Sequence, residues 1–332
     1  IIDEMSMVDI FLMHSLLMAV CVGTRVILVG DENQLPSVGP GSVLKDMAES
    51  GEYAGVALQH IFRQAAQSDI VLNAHKIQAG EPVALDNQSR DFFLLKRHDT
   101  TKVINVMLQL VVEKLPPYVN CTPFDIQVLT PTRKGELGVE NLNRVLQNYI
   151  NPAADDKREY EQADRIFREG DKVMQSKNNY RMEWEVRNRF GIPIEKGTGV
   201  FNGDMGVVKE INTFAGHMVI AFDEDHVVEY PLKQLEELEH AYAITVHKSQ
   251  GSEYPAIVMP MLGGPTMLLN RNLLYTAVTR AKQCVVMVGD EKVFDRMAQN
   301  VTQQDRYSGL SDRIREIHVQ ELLRDVAFPK GE

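Results

Sequence analysis

Cysteine is scarce in this 332-residue chain and never clustered. Cys21, Cys121 and Cys284 lie far apart and none belongs to a CxxC pair. That excludes a disulfide framework and argues against a zinc site, and it predicts reduced, buried thiols in a cytoplasmic protein. Long apolar runs are missing too. The richest, Phe11 to Val22, is broken by His14 and Ser15 and follows acids rather than a basic leader, so neither a signal peptide nor a membrane anchor is expected. A basic excess is also lacking: 35 Lys and Arg stand against 46 Asp and Glu, a formal net charge of −11. A uniformly cationic surface is therefore excluded, and any polyanion must meet a local patch. One such patch exists. Residues 172–196 hold six bases against three acids, a net of +3, whereas residues 204–239 hold nine acids and two bases, a net of −7.

The patterning is that of an α/β protein with something inserted. Ile1-Ile2-Asp3-Glu4 reads as the end of a buried strand followed by two carboxylates. Helical spacing runs from Met7 to Val20, and Thr24–Gly30 (TRVILVG) has the unbroken apolar character of a central parallel strand. Helices are expected near Ser42–Glu49 and Ser68–Gln78, the second closed by Gly80 and Pro82. The strand Phe124–Leu129, the turn Thr130-Pro131-Thr132-Arg133-Lys134-Gly135 and a helix over Val139–Tyr149 continue the alternation. After about residue 166 the texture changes to short strands, Asp171–Ser176, Gly206–Ile211, His217–Phe222 and Val227–Tyr230, separated by turn residues. That predicts a small antiparallel barrel. Strands at Ala256–Met261 and Cys284–Val288 then restore the α/β texture.

Two strand ends carry chemistry. Asp3-Glu4 closes one, and Gly30-Asp31-Glu32-Asn33-Gln34-Leu35-Pro36-Ser37-Val38-Gly39-Pro40-Gly41 follows the other. Ligands of open α/β sheets sit beyond the carboxyl ends of strands. An acid pair beside a glutamine suits Mg²⁺-nucleotide hydrolysis, with one acid for the metal's water and one for the attacking water's proton. A plain glycine-rich turn with Ser42 as helix cap would look much the same.

GDENQLPSVGPG is similar to motif III of superfamily-1 helicases in its RecD-like form. IIDEMSM resembles motif II, Leu58–Gln64 (LQHIFRQ) motif IV, Tyr242–Glu253 (YAITVHKSQGSE) motif V and Leu273–Lys282 (LLYTAVTRAK) motif VI. The resemblance spans nearly the whole chain, with five motifs in order, and FDIQVLTPTRKGELGVENLN and the inserted barrel extend it. It implies two RecA-like P-loop NTPase domains, parallel sheets flanked by helices, with ATP between them and single-stranded DNA across the top. Residues 1–60 would be the C-terminal part of the first RecA-like domain and 61–165 the first segment of the second. The barrel would occupy 166–240, and 241–332 would complete the second domain.

Carried over by resemblance, Asp3 would hold Mg²⁺ through water, Glu4 would be the general base and Gln34 would couple the γ-phosphate to DNA. Arg63 and Arg280 would be arginine fingers, since phosphoryl transfer needs fixed positive charge on the equatorial oxygens. Gly251 and Glu253 would lie near the ribose, and Thr245 and His247 would face the DNA backbone. His247 could equally be a packed histidine. Thr130 and Thr132 could bind phosphate or simply close a strand-to-helix turn. Tyr180, Trp184 and Phe190 among Arg181, Arg187 and Arg189 form an expected loop that suits single-stranded nucleic acid, or that anchors itself on the barrel.

One departure stands out. The phosphate-binding pattern G-x-x-x-x-G-K-[ST] is absent from the 332 residues, and Gly39-Pro40-Gly41-Ser42 has neither its spacing nor its lysine. The expectation is therefore a truncated 5′-to-3′ DNA helicase that is inactive without an upstream loop. Its DNA partners would be single strands and duplex junctions, and it would work alone or with subunits of an exodeoxyribonuclease V-like complex. The helicase part of a conjugative relaxase and a non-catalytic DNA-binding protein with a degenerate motor are the alternatives.

Overall fold

The computed structural model describes residues 1–58, 68–301, 306 and 308–327. Three helices come first: α1 (Ile10–Ala19), α2 (Val43–Ser50) and α3 (Asp69–Ala79). Strand β1 (Phe92–Lys96) leads to α4 (Thr100–Gln109), which passes through a π-turn at Leu110–Lys114 into α5 (Leu115–Val119). Pro116 and Pro117 have no N–H to continue the ladder, so the helix widens just before them. Next come β2 (Ile126–Thr130) and α6 (Val139–Ile150).

A run of short strands follows: β3 (Glu159–Gln162), β4 (Arg165–Arg168), β5 (Lys172–Gln175), β6 (Asn179–Arg187) and β7 (Pro193–Val200). It continues through β8 (Met205–Asn212), β9 (His217–Phe222), β10 (His226–Pro231) and β11 (Leu238–His240). The chain then forms β12 (Ala243–Thr245), β13 (Tyr254–Met261), α7 (Arg271–Val278), β14 (Ala281–Gly289), α8 (Glu291–Gln299) and α9 (Leu310–Ala327). Several helices start where an Asp or Asn side chain accepts an otherwise orphaned amide: Asp9 from Leu12, Asp99 from Lys102 and Asn270 from Leu273.

Two compact units result. One comprises Ala84–Leu268 and Arg280–Phe294, and the other Ile1–Val83, Leu269–Thr279 and Asp295–Glu332. The first unit contains a five-stranded parallel sheet in the order β1-β14-β13-β2-β12. Its strands are mostly apolar because helices cover them: every residue of β2 is buried, the polar Gln127 and Thr130 included, and Val103, Met107, Leu142 and Leu146 from α4 and α6 join Ile126 and Val128 in one core. Between β2 and β12 sits the small antiparallel sheet, in the order β11-β5-β8-β9-β10-β6-β7, with β3 and β4 as a separate hairpin. It has a core of its own that includes Val173, Val208, Ile211, Ile220, Val228 and Tyr230.

The segment expected to be a loop around Trp184 is instead the β6–β7 hairpin, with Trp184 opposite Gly197. Tyr180, Met182, Trp184 and Val186 alternate there with Arg181, Glu183, Glu185 and Arg187, the period of two of a half-solvated antiparallel strand.

The inserted sheet is tied to the α/β layer by a buried carboxylate. Asp171, fully inaccessible, accepts from Gln147 Nε2 (2.6 Å), Asn151 Nδ2 (2.8 Å), Arg168 N (2.7 Å) and Tyr242 OH (3.0 Å), with His240 Nε2 at 3.1 Å. The next residue, Lys172, is buried as well and donates to Phe124 O and Gln127 Oε1.

The second unit is built differently. Its core centres on Met5, Met13 and Val43. Thr24–Gly30, expected as a central strand, makes a single parallel bridge, Ile2 to Leu28. A central strand needs hydrogen-bonded neighbours on both sides, and among the described residues only Ile2 to Met5 pairs with this run.

Candidate nucleotide and nucleic-acid site

In the second unit the two chemistry-bearing strand ends meet. Ile2 N donates to Ile27 O (2.9 Å), Val29 N to Ile2 O (2.8 Å) and Met5 N to Val29 O (3.0 Å). A side chain at Gly30 would stand 2.9 Å from Leu44 Cδ2 and 3.0 Å from Met5 N, so glycine relieves crowding at this close approach. The Asp3-Glu4 pair and the Asp31–Leu35 turn are thereby set side by side. Glu4 has a left-handed backbone (φ 54°, ψ 38°), and its amide donates to Asp3 Oδ1 at 2.7 Å. Such a conformation in a non-glycine residue costs of order 1 kcal/mol or more and clusters at functional positions. Here it turns the acid pair out of the strand.

The following turn is organised by its own aspartate. Asp31 accepts from Asn33 N (2.9 Å) and Tyr275 OH (2.8 Å), and Gln34 Nε2 lies 3.5 Å from Oδ2. Gln34 Oε1 is buried with no hydrogen-bond partner. The glycines further along serve packing: a side chain at Gly39 would collide with the Asp9 carboxylate and one at Gly41 with Ile10. Arg306 reaches the same stretch, its Nη1 within hydrogen-bond range of Ser37 Oγ and of the carbonyls of Gly39 and Gly41.

In the other unit the turn after the 3₁₀ segment Val246–Ser249 meets the start of β14. Arg280 is 6% exposed, donates to Ser252 O (3.2 Å) and accepts Tyr254 N at its carbonyl (2.8 Å). Gly251 has φ 76°, and Glu253 pairs with Lys282 at 3.0 Å. Arg280, Gly251 and Glu253 are thus brought together. Arg63 lies outside the described residues.

Thr245 caps its 3₁₀ turn by accepting Lys248 N (3.3 Å), and burial pushes the His247 imidazole below its usual pKa. Thr130 is buried and its hydroxyl donates to Leu137 O (2.6 Å), while Thr132 O accepts Val139 N (3.0 Å); both close the turn. On the inserted sheet the Trp184 ring stacks on His226 at 3.9 Å and lies across Gly197, and Arg187 is engaged by Glu185 (2.5 Å) and Glu229 (3.2 Å). Arg181 and Arg189 are exposed, with Arg189 over the exposed Phe190 ring at 4.8 Å. Tyr180 and Phe201, also exposed, pack edge to face. Sequence reading overlooked Phe201; its position just before Asn202-Gly203-Asp204 was the available signal.

Three family models match. Residues 1–98 fit one described as an AAA domain, residues 240–288 a UvrD-like helicase C-terminal domain, and residues 142–222 an ATP-dependent RecD-like DNA helicase SH3 domain. By family the chain is RecD-like. The ATP-dependent RecD2 DNA helicase of Deinococcus radiodurans is 33% identical over 315 residues, which is 95% of this chain and 39% of that protein. The RecBCD enzyme subunit RecD of Mycolicibacterium smegmatis is 28% identical over 326 residues, 95% of this chain and 54% of that one. The RecD-like chain therefore spans from about two-fifths to just over half the length of these two relatives. Among solved structures, Pif1 helicase from Bacteroides in complex with ADP-AlF3 and ssDNA is 16% identical. It covers 96% of this chain and 75% of that one at a TM-score of 0.49, a partial overall likeness. Among the described residues no helix is long and apolar enough to cross a membrane.

Proposed function

We propose that the chain is the motif II-to-VI portion of an ATP-driven, 5′-to-3′ DNA helicase. The observation that supports this most is the meeting of the Asp3-Glu4 pair with the Asp31–Leu35 turn, where a strained Glu4 backbone and an unpartnered Gln34 carbonyl lie on adjoining strand ends. Mg²⁺ keeps most of its waters and needs only one or two protein carboxylates. The exposed Asp3 carboxylate fits that role, and no larger cluster of metal-binding side chains is present among the described residues. Bound ATP with Mg²⁺ would supply the phosphoryl group. Glu4 would accept the attacking water's proton, and the buried Gln34 carbonyl would accept a hydrogen bond from that water, which would couple Gln34 to the terminal phosphate through it. Arg280 and Arg63 would carry the positive charge, with Gly251 and Glu253 beside the ribose.

Single-stranded DNA and duplex junctions are the proposed polymer partners. His247, Thr245 and the turn around Thr132 would form one contact. Arg181 and Arg189, with Tyr180 and Phe190, would form another on the inserted sheet, which we take as residues 166–240 between segments 61–165 and 241–332 of one RecA-like domain. The relative named as a RecBCD subunit motivates a nuclease-complex partner.

The test is Glu4→Gln in the protein expressed from its whole reading frame. Nucleotide binding should persist while DNA-stimulated ATP turnover falls on the order of a hundredfold or more. The 332-residue chain alone, which has no G-x-x-x-x-G-K-[ST] pattern, should show no turnover. Robust DNA-stimulated hydrolysis by the isolated chain, or by the Glu4→Gln protein, overturns the reading.

A further inference from the structure

Helix α7 is mostly apolar on its buried face, yet three of its polar side chains converge on one turn. Asn272 Nδ2 donates to Asn33 O (2.9 Å) and reaches Gln34 O (3.4 Å). Tyr275 OH donates to Asp31 Oδ2 (2.8 Å), and Thr276 Oγ1 accepts Leu35 N (2.9 Å). These residues stand at i, i+3 and i+4, the spacing that puts side chains on one helical face. The turn is therefore held at its first residue, its middle and its last.

We infer that α7 is a clamp that sets the Gln34 side chain, with Asn272, Tyr275 and Thr276 as positioning residues acting through the Asp31–Leu35 turn. The inference rests on Gln34 serving ATP hydrolysis, as proposed above.

The chemistry of the turn gives the clamp a direction. The Asp31 carboxylate takes the Tyr275 hydroxyl and the Asn33 amide, and a carboxylate can only accept. The Gln34 atom that faces it must therefore be the amide nitrogen, which fixes which way the amide points. Its carbonyl oxygen is left buried and unpartnered, an acceptor offered to a donor such as a water. Without Tyr275 the carboxylate loses a fixed partner and is freer to rotate, and the amide loses its reference. Thr276 is fully buried, and a purely apolar contact would have served packing there without the cost of burying a hydroxyl.

The experiment is a double-mutant cycle in the protein expressed from its whole reading frame, using Tyr275→Phe, Gln34→Ala and the pair. DNA-stimulated ATPase is read as kcat and as KM for ATP, with the thermal midpoint as control. Tyr275→Phe keeps the ring and removes one charge-assisted hydrogen bond. It should lower kcat about tenfold with KM and thermal midpoint unchanged. In the Gln34→Ala background the same change should have no further effect.

A Tyr275→Phe loss of undiminished size in that background overturns the clamp, as does normal kcat in Tyr275→Phe when Gln34→Ala is impaired. Full activity of Gln34→Ala instead sinks the assignment of Gln34, which is a separate result. Thr276→Val, expected to lower kcat in the same direction, gives an independent check, and Tyr275→Phe remains decisive if that variant folds poorly.

Discussion

The unit with the five-stranded parallel sheet and the unit with the acid pair use the same kinds of residue to different ends. In the first, strands such as Ile126–Thr130 and Tyr254–Met261 have hydrogen-bonded partners on both sides, and nearly all of their residues are buried. In the second, equally apolar segments stay open. Phe11, Leu12, Leu17 and Met18 of α1 are all more than half exposed, and Ile27 and Val29 of the one-bridge run are nearly half exposed. Hydrophobicity of a segment thus tells which surface can be buried, and only the presence of neighbours tells whether it is.

The largest effect is expected in the well-partnered unit, at Asp171. Five groups from β4, α6 and the segment around β11 and β12 converge on its carboxylate. Asp171→Ala leaves several of those donors buried without an acceptor. The loss should be about 3–5 kcal/mol in the urea unfolding of the 332-residue chain, the range found when one partner of a buried polar pair is removed. A loss under about 1 kcal/mol would mean that water reaches the junction and that the inserted sheet is only loosely tied to the α/β layer.

Much of this arrangement was legible in the sequence, and the failures have physical causes. Alternation of apolar runs with turn residues anticipated β5, β8, β9, β10, β13 and β14 and helices α1, α2, α3 and α6 within a few residues. The texture change near residue 166 marked the inserted sheet. The β6–β7 hairpin stands where a loop was expected, although Tyr180, Met182, Trp184 and Val186 alternate with Arg181, Glu183, Glu185 and Arg187 at a period of two; the aromatic and cationic composition drew attention away from that spacing. The central-strand expectation for Thr24–Gly30 failed for a different reason, since strand pairing is a property of neighbours and not of the segment. At the candidate site, Asp3-Glu4 and Gln34 announced themselves by motif. Tyr275, Asn272 and Thr276 did not, although three polar residues at i, i+3 and i+4 were visible in RNLLYTAV.

An effect of intermediate size should come from Lys172. Burial pushes its ammonium down from the usual lysine value to about 8, against the opposing pull of Asp125 and Asp223. Between pH 8 and about 10.5 the unfolded chain then binds more protons than the folded one, so stability rises with pH across that window. The slope is at most about 1.4 kcal/mol per pH unit. Other groups oppose it: burial pushes the Cys284 thiol up to about 12 and the Tyr242 phenol well above its usual value, so their contribution is lost as pH rises. Comparing the urea midpoint of the wild type with that of Lys172→Met cancels these shared terms. The difference should move in favour of the wild type from pH 8 to 10.5, and a flat difference would mean that the ammonium is hydrated.

The smallest stability change is expected in the open unit, on the face of α1 turned to solvent. Phe11 is 69% exposed and Met18 76%, while Met13 is the residue of this helix in the buried core. Burial contributes about 25 cal/mol for each Å² removed from water, so side chains that remain in water contribute little to folding. Leu17→Gln with Met18→Gln should therefore shift the unfolding free energy of the 332-residue chain by less than about 0.5 kcal/mol. Met13→Ala, on the same helix, should cost about 2–3 kcal/mol, since it leaves a cavity beside Met5 and Val43. An exposed patch of this kind should also drive self-association, and the Gln pair should weaken it, read as a lower apparent mass in concentration-dependent sedimentation. If the Gln pair instead destabilised the chain as much as Met13→Ala does, the outer face of α1 would already be covered in solution, and the contrast between the two units would disappear.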